Sequence, residues 1–158
     1  MQPIWYPILL HAQAALDQAV DVHVDGPLVE PDLPAGASRW PFRIGDLAPF
    51  GLVDAAATAT RPDINANSLN AHKIAITLVN RGAEEELAEV QLRDRDFHGP
   101  ARIRTVTAAG TGPGAGEART LPDVEAARLE EGSEDTKDGV VAVRLPPRSF
   151  TVIEAAMA

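Results

Sequence analysis

The most regular run of apolar positions in the chain lies in residues 72–80, HKIAITLVN. Ile74, Ile76 and Leu78 fall on one side of an extended strand, and the residues between them are also mostly apolar. Such a pattern, rich in β-branched residues, is typical of a strand that is covered on both faces. The Asn-Arg-Gly turn sequence that follows ends the strand. We therefore expect residues 72–80 to form the central strand of a sheet.

Other stretches alternate apolar and polar residues, which is typical of half-buried antiparallel strands. In Gln18–Asp25 the pattern places Val20, Val22 and Val24 inward. Ala88, Val90 and Leu92 are the inward positions of a second strand, and Val141, Val143 and Leu145 are those of a third. The remaining strands are predicted at Gly51–Thr60, Ala101–Thr107 and Phe150–Ala155.

The other parts of the chain are predicted as one helix and several loops. Residues 3–17 carry a broad apolar stripe, and Pro7 places the regular part of the helix from about Tyr6 onward. Residues 27–50 are rich in proline and are predicted as a long ordered loop. Gly99-Pro100 is expected to break the chain, residues 108–116 to form a glycine-rich loop, and residues 121–138 to form an acidic loop.

Seven to eight short strands without helices between them predict an all-β fold, an antiparallel β-sandwich preceded by one N-terminal helix. A chain of 158 residues fits a single domain. We divide it into the helix at residues 1–17 and the sandwich at residues 18–158. Aromatic residues make up only 4% of the chain, so the core must consist of aliphatic side chains.

The charge of the chain excludes some partners. The net charge is −9, with only two lysines and scattered arginines, so we expect no nucleic-acid partner and no anionic membrane partner. The chain has no cysteine and therefore no disulfide or thiolate metal site. The apolar run at the N-terminus is too short to span a bilayer and lacks the features of a signal peptide, so we expect a cytoplasmic protein.

Three parts of the sequence, taken together and in order, resemble one family. They are IWYPILLHAQ with VDVHVDGPLV, DLAPFGLVDAAAT with IAITLVNRGAEEE, and LPDVEAARLEE with VVAVRLPPRSFTVI. The order and spacing of these segments resemble the C-terminal part of α-L-arabinofuranosidases of glycoside hydrolase family 51. In that comparison the last segment, with its Pro-Pro-x-Ser-Phe corner, corresponds to the closing hairpin of the family.

The resemblance implies a C-terminal jelly-roll sandwich, normally fused to a catalytic (β/α)8 barrel. It also implies removal of arabinofuranosyl groups from arabinoxylan- and arabinan-derived oligosaccharides in the intact enzyme, and often an oligomer. The two catalytic glutamates of that family lie on barrel strands, and no position of this sequence corresponds to them. Because a barrel takes about 250 residues, we expect the barrel as a partner, in the same polypeptide or as a separate chain. Residues 1–17 resemble its last helix.

Acidic side chains are the first candidates for chemistry, because retaining glycosidases use two carboxyl groups about 5–5.5 Å apart. The acidic runs Glu84–Glu86 and Glu130–Asp135 fall in predicted loops and lack aromatic neighbours that would raise a pKa. We interpret both as solvated surface and predict no catalytic residue in this chain.

Metal, phosphate and nucleophile sites are also not expected. Asp21, His23 and Asp25 share one strand face but are about 6.6 Å apart in successive pairs, which suits one metal ion poorly. The glycine-rich run Gly110–Gly116 lacks the Lys-Ser/Thr ending of a phosphate loop. Ser149 lacks a nucleophile-elbow sequence and is interpreted as a turn residue. We therefore expect no metal and no cofactor.

Apolar and aromatic residues leave two alternatives to the accessory-domain interpretation. One is a carbohydrate-binding module, in which aromatic rings stack on sugars, and the other is a structural protein that forms oligomers through its N-terminal helix. The residues proposed for an interface or for sugar stacking are Ile4, Trp5, Tyr6, Leu9, Leu10, Trp40 and Phe42, with Phe50 as a further aromatic. Packing inside the domain is the simpler interpretation of the aromatic residues.

Overall fold

The computed structural model describes residues 5–29, 49–60, 72–108 and 127–158. In these ranges the chain forms one helix and ten strands. In chain order they are α1 (Trp5–Ala14), β1 (Gln18–Val20), β2 (Leu28–Val29), β3 (Phe50–Gly51), β4 (Val53–Ala59), β5 (Lys73–Asn80), β6 (Glu86–Gln91), β7 (Phe97–Ala108), β8 (Ala127–Glu134), β9 (Val140–Leu145) and β10 (Ser149–Met157). The predicted all-β antiparallel fold with one N-terminal helix is confirmed, and β2, β3 and β8 are the strands beyond the seven predicted.

The large sheet has six strands in the order β1-β4-β5-β10-β7-β8, all paired antiparallel. Strand β5 lies between β4 and β10, with Ile76 opposite Ala57 on one side and Ile153 on the other. Both faces of β5 are buried from Ile74 to Leu78. The central position predicted for residues 72–80 is therefore confirmed.

A two-stranded sheet, formed by β6 and β9, covers one face of the large sheet. Val141, Val143 and Leu145 of β9 are almost completely buried. Ala88 and Val90 of β6 add partly buried side chains to the same core, as the alternation in the sequence predicts. Aliphatic side chains supply this core, because Phe97 is its only aromatic residue among the described residues.

Helix α1 covers the opposite face of the large sheet. The fold therefore has three layers, with the helix and the small sheet on either side of the six-stranded sheet. A separate short ladder joins Leu28–Val29 to Phe50–Gly51, just before β4 begins. None of the helices in the described parts of the chain is long and apolar enough to cross a bilayer.

The predicted strand at residues 18–25 is mostly wrong. Only Gln18–Val20 pairs with β4, and Val20, Val22 and Val24 remain 36%, 41% and 42% exposed. The reason is position: β1 is an edge strand, whereas β9 pairs with β6 and also packs against β5, β7, β8 and β10 of the large sheet. The alternation is present in the sequence, but no described layer lies over it.

Two further predictions are wrong, one of a break in a strand and one of a loop. Strand β7 continues through Gly99-Pro100, where the register with β10 shifts and Gly99 adopts a φ of 72°. A bulge with a positive-φ glycine absorbs the irregular residues, so the strand bends without ending. Residues 127–134, predicted as an acidic loop, form the edge strand β8, in which every residue after Ala127 is exposed. A strand without a buried face has no apolar alternation to reveal it.

The last two strands do not form a hairpin with each other, in contrast to the expectation from the resemblance. Strand β9 pairs with β6 in the small sheet, while β10 pairs with β5 and β7 in the large one. The Pro146–Arg148 turn therefore carries the chain from one layer to the other. Both strands have the alternation of buried strands, which does not specify the sheet to which a strand belongs.

Candidate functional site

The inner face of α1 is attached to the large sheet by apolar contacts. Leu10 and Ala14 are each 3% exposed and pack in a cluster with Ala75, Val106 and Val152. Tyr6 and Leu16 are partly buried at the edge of that cluster. The helix therefore crosses strands β5, β10 and β7 as an integral layer of the fold.

Polar contacts fix the helix along its length. At its C-terminal end the Leu16 N–H donates to Thr58 Oγ1 at 3.0 Å. His11 Nδ1 lies 3.4 Å from Thr77 Oγ1, and Gln13 Oε1 accepts a hydrogen bond from Arg104 Nη1 at 3.1 Å. Because these contacts reach β4, β5 and β7, they determine where the helix lies as well as which face it buries.

A charged group is buried beneath the helix. The Arg104 side chain is 8% exposed and its Nη2 lies 2.9 Å from Glu154 Oε2 on the neighbouring strand. Arg104 Nε has no hydrogen-bond partner among the described residues. Next to this pair the exposed Arg102 bonds to Glu131, and this hydrogen bond and the charge of Glu131 raise the pKa of Arg102. These contacts join β7 to Glu154 on β10 and to Glu131 on β8.

The outer face of α1 is apolar and exposed. Ile8 is 54% exposed and Leu9 is 36% exposed, and Ala12 and Ala15 also face solvent. Residues 5–16 contain no aspartate, glutamate, lysine or arginine. An uncharged helix with apolar side chains on both its inner and its outer face is typically covered on both, so this outer face is the strongest candidate for a partner-binding surface in the described chain.

The residues proposed for an interface or for sugar stacking are partly accounted for by this geometry. Leu10 belongs to the core beneath the helix, whereas Leu9 is on the exposed side. Tyr6 packs against the large sheet. Ile4, Trp40 and Phe42 and the side chain of Trp5 lie outside the described residues. Phe50 is partly exposed and has Arg81 over its ring at 5.2 Å from the centroid, so one ring face is already occupied.

The acidic runs lie on the surface, as predicted. Glu84 and Glu85 are exposed in the turn before β6. In the second run, Glu130 pairs with Arg128 on β8 and Glu131 pairs with Arg102 on β7, and all four side chains are more than half exposed. These glutamates are exposed and paired with arginines. This setting is unlike the desolvated pocket that raises the pKa of a glycosidase acid.

The remaining candidates show no sign of a reactive site. In the described ranges no group of three metal-ligating side chains is found, and Asp21, His23 and Asp25 are all exposed. Gly110–Gly116 lies outside the described residues. Ser149 is only 2% exposed and begins β10, which is not the exposed apex that a nucleophile elbow requires.

The sequence interpretation did not include Arg104 and Glu154. Each interrupts an apolar strand, Arg104 after Ile103 and Glu154 before Ala155. A charged residue at an alternate position of a strand usually faces solvent, and here the helix layer covers that face. The pairing of β7 with β10, which brings the two charges together, was not predicted from the pattern.

Comparison with known proteins gives a resemblance to parts of solved structures only. No protein-family model matches the chain, and no curated protein sequence matches it. An arabinofuranosidase of glycoside hydrolase family 51 from Xanthomonas axonopodis pv. citri is 19% identical with a TM-score of 0.46, over 72% of this chain and 20% of that one. An α-L-arabinofuranosidase from Thermotoga maritima, solved as an arabinose complex, is 21% identical with a TM-score of 0.41, over 70% and 21%.

A bifunctional glucanase-xylanase from a metagenome library is 12% identical, with a TM-score of 0.46 over 68% of this chain and 16% of that one. The chain thus spans about a fifth or less of the length of these three proteins. They are glycoside hydrolases of more than one kind.

Proposed function

We propose that this chain is the accessory β-sandwich of an α-L-arabinofuranosidase-like glycoside hydrolase, and that its partner is the catalytic (β/α)8 barrel. In this proposal the barrel cleaves arabinofuranosyl groups from arabinoxylan- or arabinan-derived oligosaccharides. The sandwich holds the barrel through α1 and supplies no catalytic carboxylate. The observation that carries the proposal is a helix packed on the sheet through Leu10 and Ala14 but apolar on its outer face as well.

The location of that helix supports the assignment of the partner. Residues 4–13 resemble the last helix of the barrel in that family. In the described chain, α1 is also the element with an uncovered apolar face. A helix shared between two bodies buries apolar surface on both sides, at about 25 cal/mol for each Å² removed from water. A barrel seated on Ile8 and Leu9 would satisfy that requirement.

The carboxylates support the assignment of catalysis to another part of the enzyme. Glu130 and Glu131 are adjacent residues of β8 and point to opposite faces of an exposed strand. They therefore do not converge on a single sugar, as a nucleophile and an acid/base must. We expect the purified chain to show no hydrolysis of 4-nitrophenyl α-L-arabinofuranoside.

Co-expression with the barrel tests the proposal directly. We expect a barrel to be encoded in the same gene or beside it, to co-purify with this chain and to gain thermal stability and arabinofuranosidase activity from it. Ile8→Glu or Leu9→Glu should weaken the association by more than about tenfold, because a carboxylate would be buried in an apolar contact. Leu87→Glu is the matched control, since Leu87 is 64% exposed on the opposite layer.

Two results would contradict the proposal. One is hydrolysis by the isolated chain that is lost on replacing one of its own glutamates. The other is equal association of the barrel with the Ile8→Glu and wild-type chains. A chain that forms stable dimers through the same helix face in light scattering would instead support the role of an oligomerisation domain.

A further inference from the structure

The two edges of the six-stranded sheet differ in their charge. Its outer strands are β1 on one side and β8 on the other. Half of the eight residues of β8 are charged, namely Arg128, Glu130, Glu131 and Glu134. Charged side chains along an edge strand oppose pairing with a strand of another molecule. The β8 edge is therefore protected.

The opposite edge lacks this protection. The pairing of β1 with β4 ends at Val20, and residues 21–25 belong to no strand. Within the described part of the chain, their backbone groups form no hydrogen bond to other backbone groups. Val20, Val22 and Val24 are 36%, 41% and 42% exposed. An edge that combines exposed apolar side chains with unpaired backbone groups is a template for a further strand.

The sequence of this edge, VDVHV in residues 20–24, is complementary to itself. When two copies are aligned antiparallel with Val22 opposite Val22, Val20 lies opposite Val24, and Asp21 lies opposite His23. Each of the last two pairs occurs twice, once on either side of the two-fold axis. Side chains directly opposite each other have Cβ atoms about 4.5–5.5 Å apart, so a ring N–H of His23 can donate to the Asp21 carboxylate. The valines of both copies meet on the other face.

The neighbouring registers are less favourable. A shift by one residue places valines opposite polar side chains, because successive residues of a strand point to opposite faces. A shift by two residues places Asp21 opposite Asp21 in one direction and opposite Asp25 in the other. Like charges directly opposite each other are destabilising. Charge and apolar pattern therefore favour the same register, the one centred on Val22.

We propose that residues 20–24 are a dimer contact, and that the occupant of this edge is the same segment of a second copy of the chain. The second segment adds antiparallel to the first and joins the two large sheets into one. Because the contact is the same surface on both copies, it closes at two and leaves no further edge of this kind. The inference uses no property of α1's outer face and does not depend on the proposed function.

Sedimentation equilibrium of the purified full chain tests the inference. We expect a dimer with a Kd of about 100 μM, because a contact of five residues on each side is smaller than a standard interface. Val22→Lys should weaken the dimer at least about tenfold, since it places two like charges opposite each other at the axis. Leu129→Lys is the matched control, because Leu129 is also 41% exposed but lies on β8. It should dimerise like the wild-type chain.

A charge exchange tests the register. Asp21→Lys and His23→Asp should each weaken the dimer, because each removes the favourable pair. The double variant should restore it, because the new lysine and the new aspartate face each other only in the proposed register. The chain has no cysteine, so Val22→Cys should form an intermolecular disulfide under mild oxidation, since directly opposed Cα atoms lie within disulfide range. Val24→Cys, opposite Val20, should not.

Ile8→Glu separates this contact from the surface of α1, because it should leave the dimer intact. A dimer that Ile8→Glu abolishes would place the interface on the helix and overturn the inference. A chain that stays monomeric up to about 1 mM would also overturn it, as would a Val22→Lys chain that dimerises like the wild type. A double variant no stronger than its two single variants would exclude the register.

Discussion

The Asn80 side chain donates from Nδ2 to the Leu145 carbonyl oxygen at 3.0 Å, across the two sheets. Asn80 ends β5 of the large sheet, and Leu145 ends β9 of the small one. The same Nδ2 lies 2.8 Å from Glu84 O and 3.0 Å from Pro146 O, while Oδ1 accepts from the Gly82 N–H at 2.8 Å. One buried amide therefore joins the turn after β5 to the connection between the layers.

Replacing Asn80 should destabilise the domain strongly. Asn80 is 1% exposed, so Asn80→Ala leaves a buried carbonyl oxygen without its donor, and we expect a loss of about 3 kcal/mol in the free energy of unfolding. Asn80→Asp should cost at least as much, because a carboxylate cannot donate to carbonyl oxygens. Urea unfolding measures both. Gln91→Ala, at the exposed end of β6, is the control and should change stability by less than about 0.5 kcal/mol.

The buried pair of Arg104 and Glu154 should be coupled more strongly than ion pairs on the surface. A double-mutant cycle to alanine at these two positions should give about 2 kcal/mol, because either single variant leaves the other charge under the helix. The value lies below that of a fully buried pair because Glu154 is 33% exposed. Arg144 and Glu85, 3.2 Å apart but largely exposed, are the matched pair, and their cycle should give less than about 0.5 kcal/mol. Equal coupling energies would contradict this account.

The sequence pattern correctly predicted the strands in which the apolar positions are also the buried positions. In β5 both faces are covered, and in β9 the alternating valines face the core, so local sequence and tertiary packing give the same answer. The pattern failed where they differ. Val22 and Val24 alternate correctly but lie at an uncovered edge, and β8 has no buried face at all. Hydrophobic periodicity shows which face of a segment could be buried. Whether that face is buried depends on the position of the strand in the sheet and on the layer that covers it.

The candidate sites could also be predicted only where the local sequence alone determines them. The apolar character of α1 was visible in the sequence, but which leucine is buried depends on the angle of the helix on the sheet. The turns at the end of the sheet required more, because Arg81 and Arg148 are far apart in sequence and come to the same end of the large sheet only through the pairing of β5 with β10. Lone arginines in turn sequences carry no signal of their own. Only the left-handed backbone of Arg148, which a sequence does not display, distinguishes that residue from other surface arginines.

Two adjacent leucines of α1 should respond very differently to truncation. Leu10 is 3% exposed, and Leu9 is 36% exposed. Leu10→Ala should lower the free energy of unfolding by about 2–4 kcal/mol, because it leaves a cavity between the helix and the sheet. Leu9→Ala should cost less than about 1 kcal/mol in the isolated chain. Chemical denaturation of the two variants checks the orientation of the helix, and a similar loss for both would show that the helix is not packed as described.

Arginine-to-asparagine replacements at positions 148 and 144 should change stability in opposite directions. Asparagine tolerates positive φ better than arginine does, so Arg148→Asn should raise the free energy of unfolding by about 0.5 kcal/mol. Arg144 lies in the extended strand β9 and is exposed, and asparagine is unfavourable in strands, so Arg144→Asn should lower it by a similar amount. Thermal unfolding at matched pH and salt compares the two. A loss of stability in Arg148→Asn would mean that the Arg148 side chain itself stabilises the fold, and would contradict this account.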